Sequence, residues 1–127
     1  MSIPTVTRME PDGPSGIGMA PCQFVDPAAV IEGNLKETGH NYFTDVTSRI
    51  NAGVWECSAY TERMESYPVD EFCYVLKGSV VITVDGEPAQ SYKEGDAFMM
   101  QRGTKGFWHV PEVFRKYYVI VEPDEDG

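Results

Sequence analysis

Apolar residues between Tyr42 and Val121 recur mostly at every second position, in short runs broken by turn formers. In Val54–Tyr60, Trp55, Cys57 and Ala59 share one face, while Glu56 and Ser58 lie opposite. Val80, Ile82 and Val84 alternate in the same way and run into Asp85-Gly86, a strong hairpin signal. Phe114–Val121 is dense in β-branched and aromatic residues. There is no long amphipathic helix pattern and no internal repeat. Many short strands with Gly and Pro at the turns predict an all-β sandwich or barrel.

One strand departs from simple alternation. In Glu71–Leu76, one face carries Glu71, Cys73 and Val75 and the other carries Phe72, Tyr74 and Leu76. Both faces are largely apolar, so both call for cover. A barrel interior covers one. An N-terminal arm or a second subunit covers the other, which favours a homodimer.

Outside the strand-rich body the pattern thins. Residues 1–21 are rich in Pro and Gly and read as an extended arm, free or lying along a neighbour. Residues 22–122 form the globular domain. Residues 123–127 form an acidic tail, solvated rather than binding. Asp26-Pro27 is able to cap and start a helical turn, which Gly33-Asn34 would stop early.

Composition narrows the partners. With 127 residues the chain suits one domain with a real core. A formal net charge of −10 repels phosphate backbones, so neither nucleic acid nor an anionic membrane is expected as a partner. No apolar run reaches the roughly 18 residues of a membrane span, and the N-terminus lacks the apolar stretch of a signal peptide. Cys22, Cys57 and Cys73 are an odd set without a CxxC pair, which reads as reduced thiols and a cytoplasmic setting.

Four blocks in order carry a resemblance: GVWEC (Gly53–Cys57), YPVDEFCYVLKG (Tyr67–Gly78), KEGDAFMMQRGTKGFW (Lys93–Trp108) and RKYYVI (Arg115–Ile120). Together they resemble the cupin superfamily, and more narrowly the small cupins grouped with the (S)-ureidoglycine aminohydrolase cupin domain. The resemblance implies a single antiparallel β jelly-roll barrel. Glu71 and Gly78 match the glutamate and closing glycine of the first cupin motif, and Gly95-Asp96 and Gly103 fall within the second. The metal-binding histidines are replaced. Counting back from Glu71, their places fall on Glu65 and Tyr67, or on Met64 and Ser66 under the alternative spacing. The third place is Gly106. Laid on the Glu-x-His-x-x-x-His order of ureidoglycine aminohydrolases, Glu65 matches the glutamate, while Tyr67 and Glu71 replace the histidines. Two carboxylates and a phenol suit at best a hard cation such as Mn²⁺ or Mg²⁺. No cofactor is therefore expected, with such a cation as the alternative.

The two histidines offer no substitute ligands. His109 is expected to face away from Trp108, at the surface or in a dimer contact, and His40 to sit in an exposed loop. If Glu71 points inward, burial and a neighbouring Glu65 would raise its pKa and poise it for acid/base work with Tyr67. The plainer reading is a buried acid satisfied by a hydrogen bond from Tyr67 or a backbone amide. Trp55 and Trp108 are expected to line the same cavity, as core filling or as a platform for a planar or cationic ligand. Tyr117 adds a phenol if Arg115, Tyr117 and Val119 face inward, whereas the opposite parity puts Tyr118 inside. Cys57 and Cys73 read as inert core thiols, Asp96 as a turn former, and Asp70 as a cap facing away from Glu71.

Three functions remain open at this point. The first is small-molecule binding around Trp55, Glu65, Tyr67, Glu71 and Trp108. The second is an enzyme acting on a small nitrogenous or carbonyl metabolite by carboxylate acid/base chemistry. The third is a structural or partner-binding barrel with a filled cavity.

Overall fold

The computed structural model describes residues 3–124, which form strands, turns and one short 3₁₀ turn. The remaining residues of the arm and the acidic tail lie outside the described residues. Eleven strands are present among the described residues: β1 (Ala20–Pro21), β2 (Val30–Glu32), β3 (Glu37–Thr44), β4 (Ile50–Cys57), β5 (Tyr60–Met64), β6 (Asp70–Lys77), β7 (Ser79–Val84), β8 (Gln90–Lys93), β9 (Ala97–Met100), β10 (Gly106–Val110) and β11 (Phe114–Val121). They build two sheets, ordered β1-β3-β4-β11-β6-β9 and β2-β5-β10-β7-β8. Every pairing is antiparallel. The two sheets enclose one core as a jelly roll, with Val75, Val80, Val110 and Phe114 fully buried in it. No helix among the described residues is long and apolar enough to cross a membrane.

Strand parity follows the alternation in most places. Trp55 and Cys57 are buried while Glu56 is only half-buried, and Val80 and Ile82 turn into the core. Residues 54–60 do not form one strand, however. β4 ends at Cys57 and β5 begins at Tyr60, where the chain crosses between sheets. The Ser58 hydroxyl holds this corner, accepting from the Lys36 N–H at 2.8 Å and donating to the Asn34 carbonyl at 3.1 Å. Asp26 caps a single 3₁₀ turn, Pro27–Ala29, by accepting from the Ala28 N–H at 2.9 Å. His40 lies in β3 rather than in an exposed loop. It is half-buried, with its ring edge-on to Tyr42 at 4.6 Å.

The N-terminal arm lies on the outer face of its own first sheet. The Met9 carbonyl accepts from the Tyr117 hydroxyl at 2.9 Å, and Pro11 and Asp12 accept from Arg115. Arg115 also pairs with Glu56 at 2.8 Å, which explains why this cation faces outward. Cover of the outer face is partial. Tyr74 stacks on Tyr117, but Phe72 and Met99, paired across β6 and β9, stay exposed. The expectation of a dimer rests on this remaining apolar face.

Gly78 ends β6 at a φ of +75°, and a Cβ there would run into the Val113 carbonyl. Gly86 has φ +81° but open space around it. Gly78→Ala is therefore expected to cost more than the roughly 1–3 kcal/mol of left-handed strain alone. Gly86→Ala should cost no more than that strain. Urea denaturation of both variants checks the difference, and equal losses would contradict the steric reading.

Candidate functional site

A cavity of about 930 Å³ opens between the sheets, and its floor is built by β4, β6, β10 and β11. β6 turns Glu71 inward and β11 turns Lys116 inward from the neighbouring strand. Both are buried, at 4% and 6% exposure, which makes them unusual among charged residues. The Lys116 ammonium donates to Glu71 Oε2 at 2.5 Å, and the Tyr67 hydroxyl donates to Oε1 at 2.5 Å. The Cys73 thiol reaches Oε2 at 3.4 Å. Both oxygens of the carboxylate are thus engaged.

The same ammonium lies over the faces of two aromatic rings. Lys116 Nζ lies 5.0 Å from the Trp55 ring centre and 4.9 Å from that of Trp108, within cation–π range. Trp55 stands directly opposite Lys116 in the β4–β11 register, and its indole N–H donates to Glu37 Oε1 at 3.1 Å. Glu37 also accepts from the Phe24 and Val25 amides, so it locks Trp55 in place. The aromatic and carboxylate cage foreseen for a cationic ligand is already filled by a side chain of this protein.

These contacts reverse the expected titration of Glu71. Burial opposes its charge, but Lys116 and the hydrogen bonds from Lys116, Tyr67 and Cys73 prevail and hold it below the usual carboxylate range. Burial also opposes the charge of Lys116, yet Cys73, Glu71 and Tyr67 around it hold the amine well above its usual range. The pair is a fixed carboxylate and ammonium, not a poised acid. Burial raises the Tyr67 phenol and pushes the Cys73 thiol up to about 12, so both stay protonated.

The poised carboxyl is Glu62, on β5 in the opposite wall. It stands directly across from Trp108 in the β5–β10 register. Burial holds it above the ordinary range, against the pull of a 2.7 Å hydrogen bond from Tyr60 and of Lys116. Its second oxygen has no hydrogen-bond partner among the described residues. Trp108 Nε1 is the one buried side-chain nitrogen or oxygen among them without a partner. Such an unmet donor ordinarily costs about 1–3 kcal/mol.

The other expected site residues separate. Glu65 lines the rim, exposed, with Arg63 Nε at 3.5 Å, and does not join Glu71. Tyr117 faces outward against the arm, and Tyr118 takes the inward place, donating to Asn41 Oδ1 at 2.9 Å. His109 faces away from Trp108, with Nδ1 2.7 Å from the Thr61 hydroxyl. Of the metal donors suggested by the spacing, Glu65 is exposed beside Arg63, Tyr67 keeps its proton and Glu71 is taken by an ammonium. No group of three His, Cys, Asp or Glu side chains among the described residues is placed to hold a metal.

Residues 45–118 match the family model of the EutQ-like cupin domain. No curated protein matches the sequence. Among solved structures, a protein of unknown function from Pseudomonas syringae pv. tomato superposes with a TM-score of 0.76 at 22% identity over 81% of this chain. This chain spans only 44% of that protein's length. The Clostridium difficile EutQ protein is 26% identical over 71% of this chain and 65% of its own, with a TM-score of 0.59. A putative ethanolamine utilization protein Q from Salmonella typhimurium is 19% identical over 94% of both chains, with a TM-score of 0.66.

Proposed function

The chain belongs to the EutQ-like cupin domain family, and we propose that it binds a small polar molecule in the cavity above the Lys116–Glu71 pair. The observation that carries this reading is the pair itself. A buried ion pair is a poor source of stability, since apolar residues of similar volume often do as well or better. Placing one at the floor of a cavity is reasonable where its charge and hydrogen bonds serve a ligand. Two groups in the walls support this: the remaining Lys116 N–H and the second oxygen of Glu62. The cavity volume suits a small metabolite and counts against a filled barrel.

The chain's two tryptophans both line this cavity, so their fluorescence reports on it directly. A screen of small amides, hydroxy acids, ketones and amino alcohols should find compounds that quench the emission and raise Tm. Glu62→Gln and Lys116→Met should weaken those hits. If no such compound binds more tightly than about 1 mM, roughly 4 kcal/mol, the ligand reading fails.

A second reading, an enzyme resembling the (S)-ureidoglycine aminohydrolases in using carboxylate acid/base chemistry, is favoured by Glu62 rather than Glu71. A cavity-facing carboxyl that burial holds above the ordinary carboxylate range suits proton transfer. Lys116 on the facing wall would stabilise negative charge developing on a substrate oxygen.

A further inference from the structure

We propose that Lys116 is the built-in cation of this barrel: its ammonium stands where a metal ion would meet Glu71, and its free N–H donates to a ligand oxygen. Three observations converge on this. The ammonium is 2.5 Å from Glu71 Oε2, and Tyr67 donates to the other oxygen, so both carboxylate oxygens are already engaged. The nitrogen lies over two indole faces, 5.0 Å and 4.9 Å from their centres. Ring faces suit a monovalent ammonium, whereas a divalent ion seeks oxygen or imidazole donors. The places of the missing histidines hold an exposed glutamate, a protonated phenol and a glycine, Glu65, Tyr67 and Gly106.

The count of donors leaves a function for the ammonium. It has three N–H groups. One goes to Glu71, and the Cys73 sulfur at 3.7 Å takes at most a weak second. The third is available to the cavity that Lys116 lines. Charge then selects the ligand. A divalent ion with one glutamate leaves a site of +1, whereas ammonium with glutamate leaves zero, and Glu62 faces it from the other sheet. Neutral carbonyl or hydroxyl compounds, or zwitterions with the amine toward Glu62, fit this better than anions do. This choice of ligand rests on the ligand reading above, whereas the built-in cation does not.

The test uses the full chain and needs no ligand. Mn²⁺ is titrated to about 1 mM while the indole N–H signals of Trp55 and Trp108 are followed by NMR. No broadening that depends on Glu71 is expected. In Lys116→Ala, propylammonium should raise Tm and restore the indole shifts, while propanol should not. Mn²⁺ broadening of the wild-type indoles that Glu71→Gln abolishes would overturn the proposal. So would a propylammonium effect no greater on Lys116→Ala than on the wild type. Should Lys116→Ala fail to fold, the wild-type lysine ¹⁵Nζ spectrum decides. One ammonium signal protected from solvent exchange is expected, and a uniformly exchange-averaged set would overturn the proposal. Failure of the fluorescence screen would sink the ligand reading alone, and Mn²⁺ binding at Glu71 would sink the built-in cation alone.

Discussion

Lys116→Met is expected to lose about 3–5 kcal/mol of folding stability at neutral pH, the range for breaking a buried pair by removing one partner. Methionine is one atom shorter than lysine but keeps an unbranched apolar stem beside Trp55 and Trp108, so most of the loss reflects the charge. Glu71 is left buried with only Tyr67 and Cys73 as hydrogen-bond donors. Its pKa then rises above the unfolded value of about 4.3, because burial is no longer opposed by the ammonium. The folded variant binds more protons than the unfolded chain across that window, so its stability falls as pH rises and recovers toward acid. The wild type behaves oppositely. Its Glu71 is held low, and the stability this contributes is present above about pH 4.3 and lost as pH falls through the folded pKa. Urea denaturation curves of the two proteins should therefore converge on acidification. A loss that stays constant with pH would show that Lys116 acts through packing rather than charge.

The fold was legible because it depends on local signals that add up. Alternation in β4 and β7, the Asp85-Gly86 turn and Gly78 each identify a strand or its end, and side-chain identity scarcely enters. The site was less legible for a reason also rooted in period two. Alternation divides β11 into Phe114, Lys116, Tyr118 and Ile120 on one face and Arg115, Tyr117 and Val119 on the other, and each set contains a cation and a tyrosine. What decides between them is long-range. Glu56 and Asp12 hold Arg115 outside, and Glu71 holds Lys116 inside. The pairing of β11 with β6 also shifts register between Arg115 and Lys116, which counting along one strand cannot reveal. Glu62 was hidden for the same reason, since its burial arises from β10 and β2 on either side rather than from its own run. The Trp55, Trp108, Tyr67 and Glu71 cluster was legible as a group, but its central charge came from β11, with Lys116 separated from Glu71 by 45 positions.

Removing the other partner should give the mirror image. Glu71→Gln is expected to cost a similar 3–5 kcal/mol at neutral pH, because the Lys116 ammonium remains buried without its counter-charge. Glutamine still offers Tyr67 an acceptor, so the hydrogen bond can persist while the charge pairing cannot. With the carboxylate gone, burial lowers the pKa of Lys116 below its unfolded value of about 10.4. The unfolded chain then binds more protons than the folded one between those two values, and stability rises with pH. In the wild type the amine is held high, and its contribution is complete below about pH 10.4 and lost as pH rises through the folded pKa. Lys116→Met and Glu71→Gln should thus show pH slopes of opposite sign. The double variant should recover much of the lost stability with almost no slope, since neither buried charge remains. This double-mutant cycle separates two uses of Glu71. If the residue serves only to hold Lys116, the double variant folds well and loses ligand affinity no further than Lys116→Met alone. An additional loss on adding Glu71→Gln to Lys116→Met would assign the carboxylate a direct contact with the ligand.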